Sequence, residues 1–135
     1  MIGKNNPLNI RYKPLNNWIG QTGQTRGFSD FDSIKHGVRA ALYLLIKSYP
    51  KRKQYTYAQL ISSFAPSFEN PTDLYISFVC RQCDCFPFDV PSSPFDYARM
   101  VRAMWQFEQG NLINCPSVND LLVWIKEFDF KNFEV

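Results

Sequence analysis

Histidine is almost missing from this chain: His36 is the only one in 135 residues. A Ser–His or Cys–His nucleophile would have to use it, and a histidine-rich metal hydrolase has no ligands to draw on. His36 falls in the first turns of an amphipathic segment, where a surface or supporting role competes with that of a base. Long apolar runs are absent, so no segment is expected to span a bilayer. No N-terminal stretch combines the charged, apolar and cleavable parts of a signal peptide. The expectation is a protein made in a cytoplasm and carried by something else if it acts outside. Neither G-x-x-x-x-G-K-[ST] nor G-x-G-x-x-G occurs, which removes the usual support for nucleotide folds. Charge of one sign is not in large excess: 15 Lys and Arg stand against 12 Asp and Glu, for a net charge of +3. That surplus is too small to argue for nucleic acid and suits an acidic polymer equally well.

Cysteine is present but badly placed for a disulfide framework. Cys80, Cys83 and Cys85 crowd into CRQCDC, with Cys115 far away. Their spacing is not a standard zinc pattern, so reduced, half-buried thiols are expected, with no metal and no cofactor.

Aromatic residues are abundant, with 12 Phe, 7 Tyr and 3 Trp. Hydrophobic residues make up 45% of the chain, which is a globular composition long enough for one domain, residues 1–135. Residues 1–27 are rich in Asn and Gly and broken by Pro7 and Pro14, yet Ile10, Tyr12, Trp18 and Ile19 seek burial. They read as a loop-rich lobe, followed by a short strand over 27–31. A buried helix is expected over 33–49, capped by Asp32 or Ser33 and ended by Pro50, with the basic residues 51–53 as a solvated turn. Thr56 and Gln59 form a capping box ahead of the next helix. After a loop at 67–70, Asn70 caps a helix that starts at Pro71 and packs through Leu74, Phe78 and Arg81 or through Tyr75, Phe78 and Val79. A proline-rich loop crosses 86–94, and Ser117 with Asp120 opens a last helix to Phe128. The tail from 129 onward frays or packs by its phenylalanines. The sum is a mainly α (α+β) chain with about five helices.

The stretch 94–110 stands apart. Ser93 caps it, Pro94 fits the first helical position, Asp96 suits the first turn, and Gly110 stops it. Tyr97, Val101, Met104 and Glu108 share one face, so a carboxylate ends an apolar stripe. Desolvation there would raise its proton affinity and fit it for general acid work. A glutamate turned to solvent or bonded to nearby backbone is the plainer alternative. Carboxylate chemistry beside aromatic and amide residues is what glycosidic cleavage requires.

The segments NNPLNIRY, NNWIGQTG and GFSDFDSIKHGVRAALYLL, then FAPSFENPTDLY and FEQG, resemble a set of small phage and prophage proteins described as virion structural or lysozyme-like. The likeness covers most of residues 5–110. A second, weaker likeness is to bacterial glucosaminidases of the flagellar and autolysin type, with the order of segments circularly permuted so that FEQG stands for the glutamate turn. The resemblance implies a lysozyme-like fold acting on the glycan strands of peptidoglycan, with Glu108 as the acid and Tyr75 beside it. It implies substrate contacts from Asn6, Asn9, Arg11, Trp18, Glu69 and Asn70. It further implies action in a virion or at the cell wall, with other virion proteins as partners and no role for nucleic acid or membrane. Gln109 stands where the glucosaminidases have serine, and a second carboxylate would be Asp30, Asp32 or Glu69. The same residues have structural readings: Asn6 and Asn9 bonding loop backbone, Arg11 paired with a carboxylate such as Glu108, Trp18 in the core, Glu69 at a helix start. A non-catalytic virion component or a wall-binding module on the same fold is the other function implied.

Overall fold

The computed structural model describes residues 1–50, 54–67, 71–128 and 130. The expectations for Glu69, Asn70, the 51–53 turn and most of the C-terminal tail fall outside those residues. Among the described residues the chain is α-rich with one small sheet. Strands β1 (Gln21–Thr25) and β2 (Phe28–Phe31) precede α1 (Ile34–Tyr43) and a π-helical turn (Leu44–Ser48). Then come α2 (Tyr57–Phe64), α3 (Thr72–Cys83), α4 (Pro94–Gln109) and α5 (Val118–Phe128). No helix among them is long and apolar enough to cross a membrane.

The helix starts follow their caps. Ser33 Oγ accepts from His36 N–H at 3.2 Å, and Ser93 Oγ from Asp96 N–H at 3.2 Å. Thr56 and Gln59 close a reciprocal capping box at 3.1 and 2.9 Å. Ser117 Oγ accepts from Asp120 N–H at 3.1 Å. Each such cap contributes about 1 kcal/mol by satisfying a donor that the helix cannot satisfy itself. The first N–H groups of α2 find a second source of acceptors: Tyr57 and Ala58 donate to the carbonyls of Asp89 and Pro87 in the proline-rich loop. Pro71 sits at the cap of α3 rather than at its first helical position, one residue off the expectation.

The sheet is antiparallel and pairs Thr25 with Phe28 and Gly23 with Asp30. Arg26 and Gly27 both have positive φ, 50° and 87°, which is the tight hairpin connection. Strand β1 falls in the lobe that reads as loop in the sequence. Its residues QTGQT have no apolar alternation, because four of the five face solvent and β2 supplies the order. Backbone at Ile10 and Tyr12 bonds to Ser29 and Gly27, laying the N-terminal segment along β2.

Helix α4 runs through the middle of the core. Ala98, Met100, Val101, Ala103, Met104 and Trp105 are all buried, on more than one face, because α3, α5 and α1 each pack against it. Val38, Leu42 and Leu45 are fully buried, as the periodicity of 33–49 predicts. A wholly buried Leu or Met contributes about 2 kcal/mol through area removed from water. On α3 the Tyr75 and Val79 face is the packed one, and Leu74 is 67% exposed. Phe130 packs edge-on against Tyr43 at 5.7 Å.

The expected continuous helix over 33–49 is interrupted. Tyr49 N–H donates to Leu44 O at 2.9 Å, an i→i+5 bond that widens the last turn. Such turns re-aim the side chains beyond them and recur at functional sites.

Candidate active site

The site is built where α4 ends. Gly110 adopts φ 79°, a left-handed conformation that suits glycine, and its N–H donates to Gln106 O at 2.8 Å. The helix therefore stops with Glu108 and Gln109 in its last turn. Both reach the N-terminal lobe. Asn9 Nδ2 donates to Glu108 Oε1 at 2.8 Å, and Gln109 Nε2 donates to Pro7 O at 2.6 Å.

Glu108 is half-buried, and burial is the largest influence on it, pushing its proton affinity above the ordinary carboxyl range. The Asn9 bond and the nearby Tyr75 hydroxyl pull in the opposite direction without cancelling it. Its place in the last turn of a helix acts in the same sense as burial, since the unpaired carbonyls there disfavour a negative charge. No ion pair joins Arg11 to Glu108 among the described residues. The guanidinium of Arg11 lies over the Phe28 ring at 4.9 Å.

Tyr75 comes from α3 and is 1% exposed. Its ring stacks on Phe107 at 4.0 Å and 24°. Its hydroxyl, though close enough to Glu108 for each to influence the other, has no partner in ordinary hydrogen-bond geometry among the described residues. Burial, and then the charge of Glu108, hold it well above the usual phenol range.

Glu108 opens into a cleft of about 400 Å³. One wall is the N-terminal lobe, with Asn9, Arg11, Lys13, Asn16 and Phe28. The other is formed by Leu44 and Tyr49 of the π turn and by residues 63–66 at the end of α2. Volume and mixed lining are those of a small-ligand or sugar-sized site. Burial pushes the Tyr49 phenol up to about 12, so it stays a neutral hydrogen-bonding group at any working pH. Glu108 is the one carboxylate lining this cleft among the described residues.

The expected site residues separate into two groups. Glu108, Asn9 and Arg11 meet at the cleft, and Tyr75 lies behind Glu108. Asn6 does not face it. Asn6 is fully buried, and its amide bonds Ile10 O at 2.9 Å, Ser29 O at 2.8 Å and Ile10 N–H at 2.9 Å. Its role is to hold the loop that carries Asn9. Trp18 packs edge-on against Tyr43 at 5.9 Å, away from the cleft lining. Asp30 accepts from Lys4 N–H at 2.7 Å and from Thr25 Oγ1 at 2.8 Å, and Asp32 pairs with His36 Nδ1 at 2.7 Å. Neither lines the cleft. His36, which chiefly holds the Asp32 carboxyl below its ordinary range, is not there either.

Sequence reasoning missed Lys13, Asn16, Ser63 and Tyr49 as cleft residues. Of these, only Tyr49 falls within the helix expected over 33–49. Elsewhere, Cys80, Cys83 and Cys85 gather at the end of α3 as free thiols. Burial pushes Cys83 and Cys85 up to about 12, which keeps them protonated and weakly nucleophilic. Among the described residues no group of three or more His, Cys, Asp or Glu is arranged to hold a metal ion.

The arrangement offers a carboxyl of raised proton affinity, fixed by an amide and open to a polar cleft with cationic residues on one wall. Such a group delivers a proton to an oxygen bound in front of it. No protein-family model matches the chain, and no curated protein is significantly similar to it.

Proposed function

We propose that the protein is a phage-derived peptidoglycan-degrading protein of lysozyme-like fold, cleaving the glycan strand with Glu108 as its acid. The observation that carries this reading is the half-buried Glu108 carboxyl, raised in proton affinity and lining an open cleft. A glycosidic oxygen leaves as an alcohol only if it is protonated in the transition state, and a carboxyl kept neutral near physiological pH supplies that proton. Asn9, Asn16, Ser63 and Tyr49 offer hydrogen bonds of the kind sugar hydroxyls take, and Phe28 offers a ring face. Arg11 and Lys13 suit the carboxylates that peptidoglycan carries. The phage context rests on the resemblance of the N-terminal and FEQG segments. The site of action is then the virion or the cell wall.

The test is a zymogram and a soluble-fragment assay on purified cell walls. Glu108→Gln should abolish cleavage while keeping wall binding. Parent-like cleavage by Glu108→Gln would sink the assignment.

A second reading is a non-catalytic virion component on the same fold. It is favoured by the Asn9–Glu108 and Gln109–Pro7 bonds, which tie the end of α4 to the N-terminal lobe as a structural clip would. Absence of cleavage across wall types, with Glu108→Gln assembling like the parent, would decide for it.

A further inference from the structure

The bond between Asn9 and Glu108 crosses 99 residues of sequence and is made by one atom pair, Nδ2 to Oε1. An amide N–H can only donate. A neutral carboxyl has one good acceptor, its carbonyl oxygen, and one hydroxyl oxygen that donates. A donor held against Oε1 therefore makes Oε1 the carbonyl oxygen and sends the proton to Oε2. The amide turned the other way would set oxygen against oxygen, which an ionised carboxylate opposes and a neutral one allows only by moving its proton to Oε1. From this geometry we infer that Asn9 is a positioning residue that decides which oxygen of Glu108 carries the proton and aims it.

The inference deepens the reading of Glu108 as an acid and rests on it. Two demands meet at position 9. Its backbone has φ 53°, in the left-handed region that asparagine tolerates better than most side-chain-bearing residues. Its side chain must carry a donor amide. Glycine meets the first demand alone, glutamine the second alone, and aspartate meets the first while replacing the donor with a charge. The backbone is held in turn by Asn6. Asn9 N–H donates to Asn6 O at 3.2 Å, and the Asn6 amide clamps both backbone groups of Ile10. Asn9 Oδ1 is buried and has no partner among the described residues, so the side chain is kept in place by its bond to Glu108 and by its backbone.

The titratable groups around Glu108 are few among the described residues. Tyr75 approaches from α3, Arg11 and Lys13 share the cleft from the N-terminal lobe, and Tyr49 faces it from the end of the π turn. Of these, Tyr75 is the one that influences the Glu108 proton directly, and it does so in the same direction as Asn9. Removing the Asn9 amide leaves burial less opposed, so the carboxyl should hold its proton to higher pH.

The experiment labels glutamate carboxyl carbons with ¹³C and follows them by NMR against pH. The chain has four glutamates, and Glu108→Gln identifies the resonance of interest. Asn9→Gly keeps the left-handed backbone and should move the Glu108 midpoint upward. Asn9→Asp keeps the shape and should move it further, with a two-step titration as two carboxyls share one site. On purified cell walls, activity depends on the protonated acid. The alkaline limb of the Asn9→Gly profile should therefore shift upward with the NMR midpoint, its maximum reduced about tenfold by lost aim. A Glu108 midpoint unmoved or lowered in both variants, each with a native circular dichroism spectrum, overturns the inference even where cleavage persists. A parent that cleaves no wall removes the glycosidase reading, and the NMR midpoints still decide the role of Asn9.

Discussion

Gln109 and Pro7 are 102 residues apart in sequence, and the amide nitrogen of one sits 2.6 Å from the carbonyl oxygen of the other. Gln109 thus reaches from the last turn of α4 across to the N-terminal lobe. The bond lies one residue from Glu108 and two from Asn9, so it braces the pair that lines the cleft. Gln109→Ser is too short to make it. We expect a loss of about 1 kcal/mol in urea unfolding, with the urea dependence of the folding free energy unchanged.

Glu108 also sets a pH dependence of stability. Between the ordinary carboxyl pKa and its raised folded value, the native state keeps a proton that the unfolded chain has released. Stability therefore falls as pH rises through that window. Glu108→Gln carries no charge at any pH and still accepts from Asn9. It should melt above the parent at neutral and alkaline pH, with the difference closing below about pH 4. Equal melting temperatures at both ends of that range would contradict the burial of the carboxyl.

Asn6 is fully buried and bonded on both its amide nitrogen and oxygen. Asn6→Ala strips partners from buried backbone at Ile10 and Ser29. A cost of about 3 kcal/mol is expected from those unsatisfied groups, read by chemical denaturation. Since Asn6 also holds the backbone of Asn9, the variant should blur the Glu108 titration as well as weaken the fold.

Gly37 lies where α1 packs against the backbone of the N-terminal lobe. A Cβ there would overlap the carbonyl oxygen of Asn5, and Pro7 leaves no room on the other side. Gly37→Ala should cost about 1–3 kcal/mol in thermal unfolding despite alanine's better helix propensity. A stabilised variant would show that the lobe moves aside freely.

Helices whose ends are written in local chemistry were legible in the sequence. Thr56 with Gln59, Ser93 with Pro94 and Gly110, and Ser117 with Asp120 each announce a boundary within four residues or at a glycine stop, and the structure keeps them. Glu108 was legible for the same reason, because its neighbours on the apolar face fix its direction. Strand β1 was not, since its polar residues acquire order only from Phe28–Phe31 beside them. The role of Asn9 was half-legible. Its residue type pointed to a site, but its partner lies 99 positions away, and no local pattern encodes a contact of that range. Asn6 and Asn9 look alike in the sequence and differ only in which way the loop turns them, one into backbone and one toward a carboxylate.

The i→i+5 bond between Tyr49 and Leu44 has a meaning in chain length. A π turn is an α-helix with one residue inserted, and both ends of this bond line the far wall of the cleft. Removing any one residue from within it would let an ordinary i→i+4 bond take its place, so Tyr49 would still sit one turn beyond Leu44. An added residue that the helix did not absorb in a further bulge would instead turn Tyr49 by about 100° off the wall, while the core face of α1 upstream stayed in place. The wall opposite Glu108 thus tolerates the loss of a residue in this turn better than the gain of one.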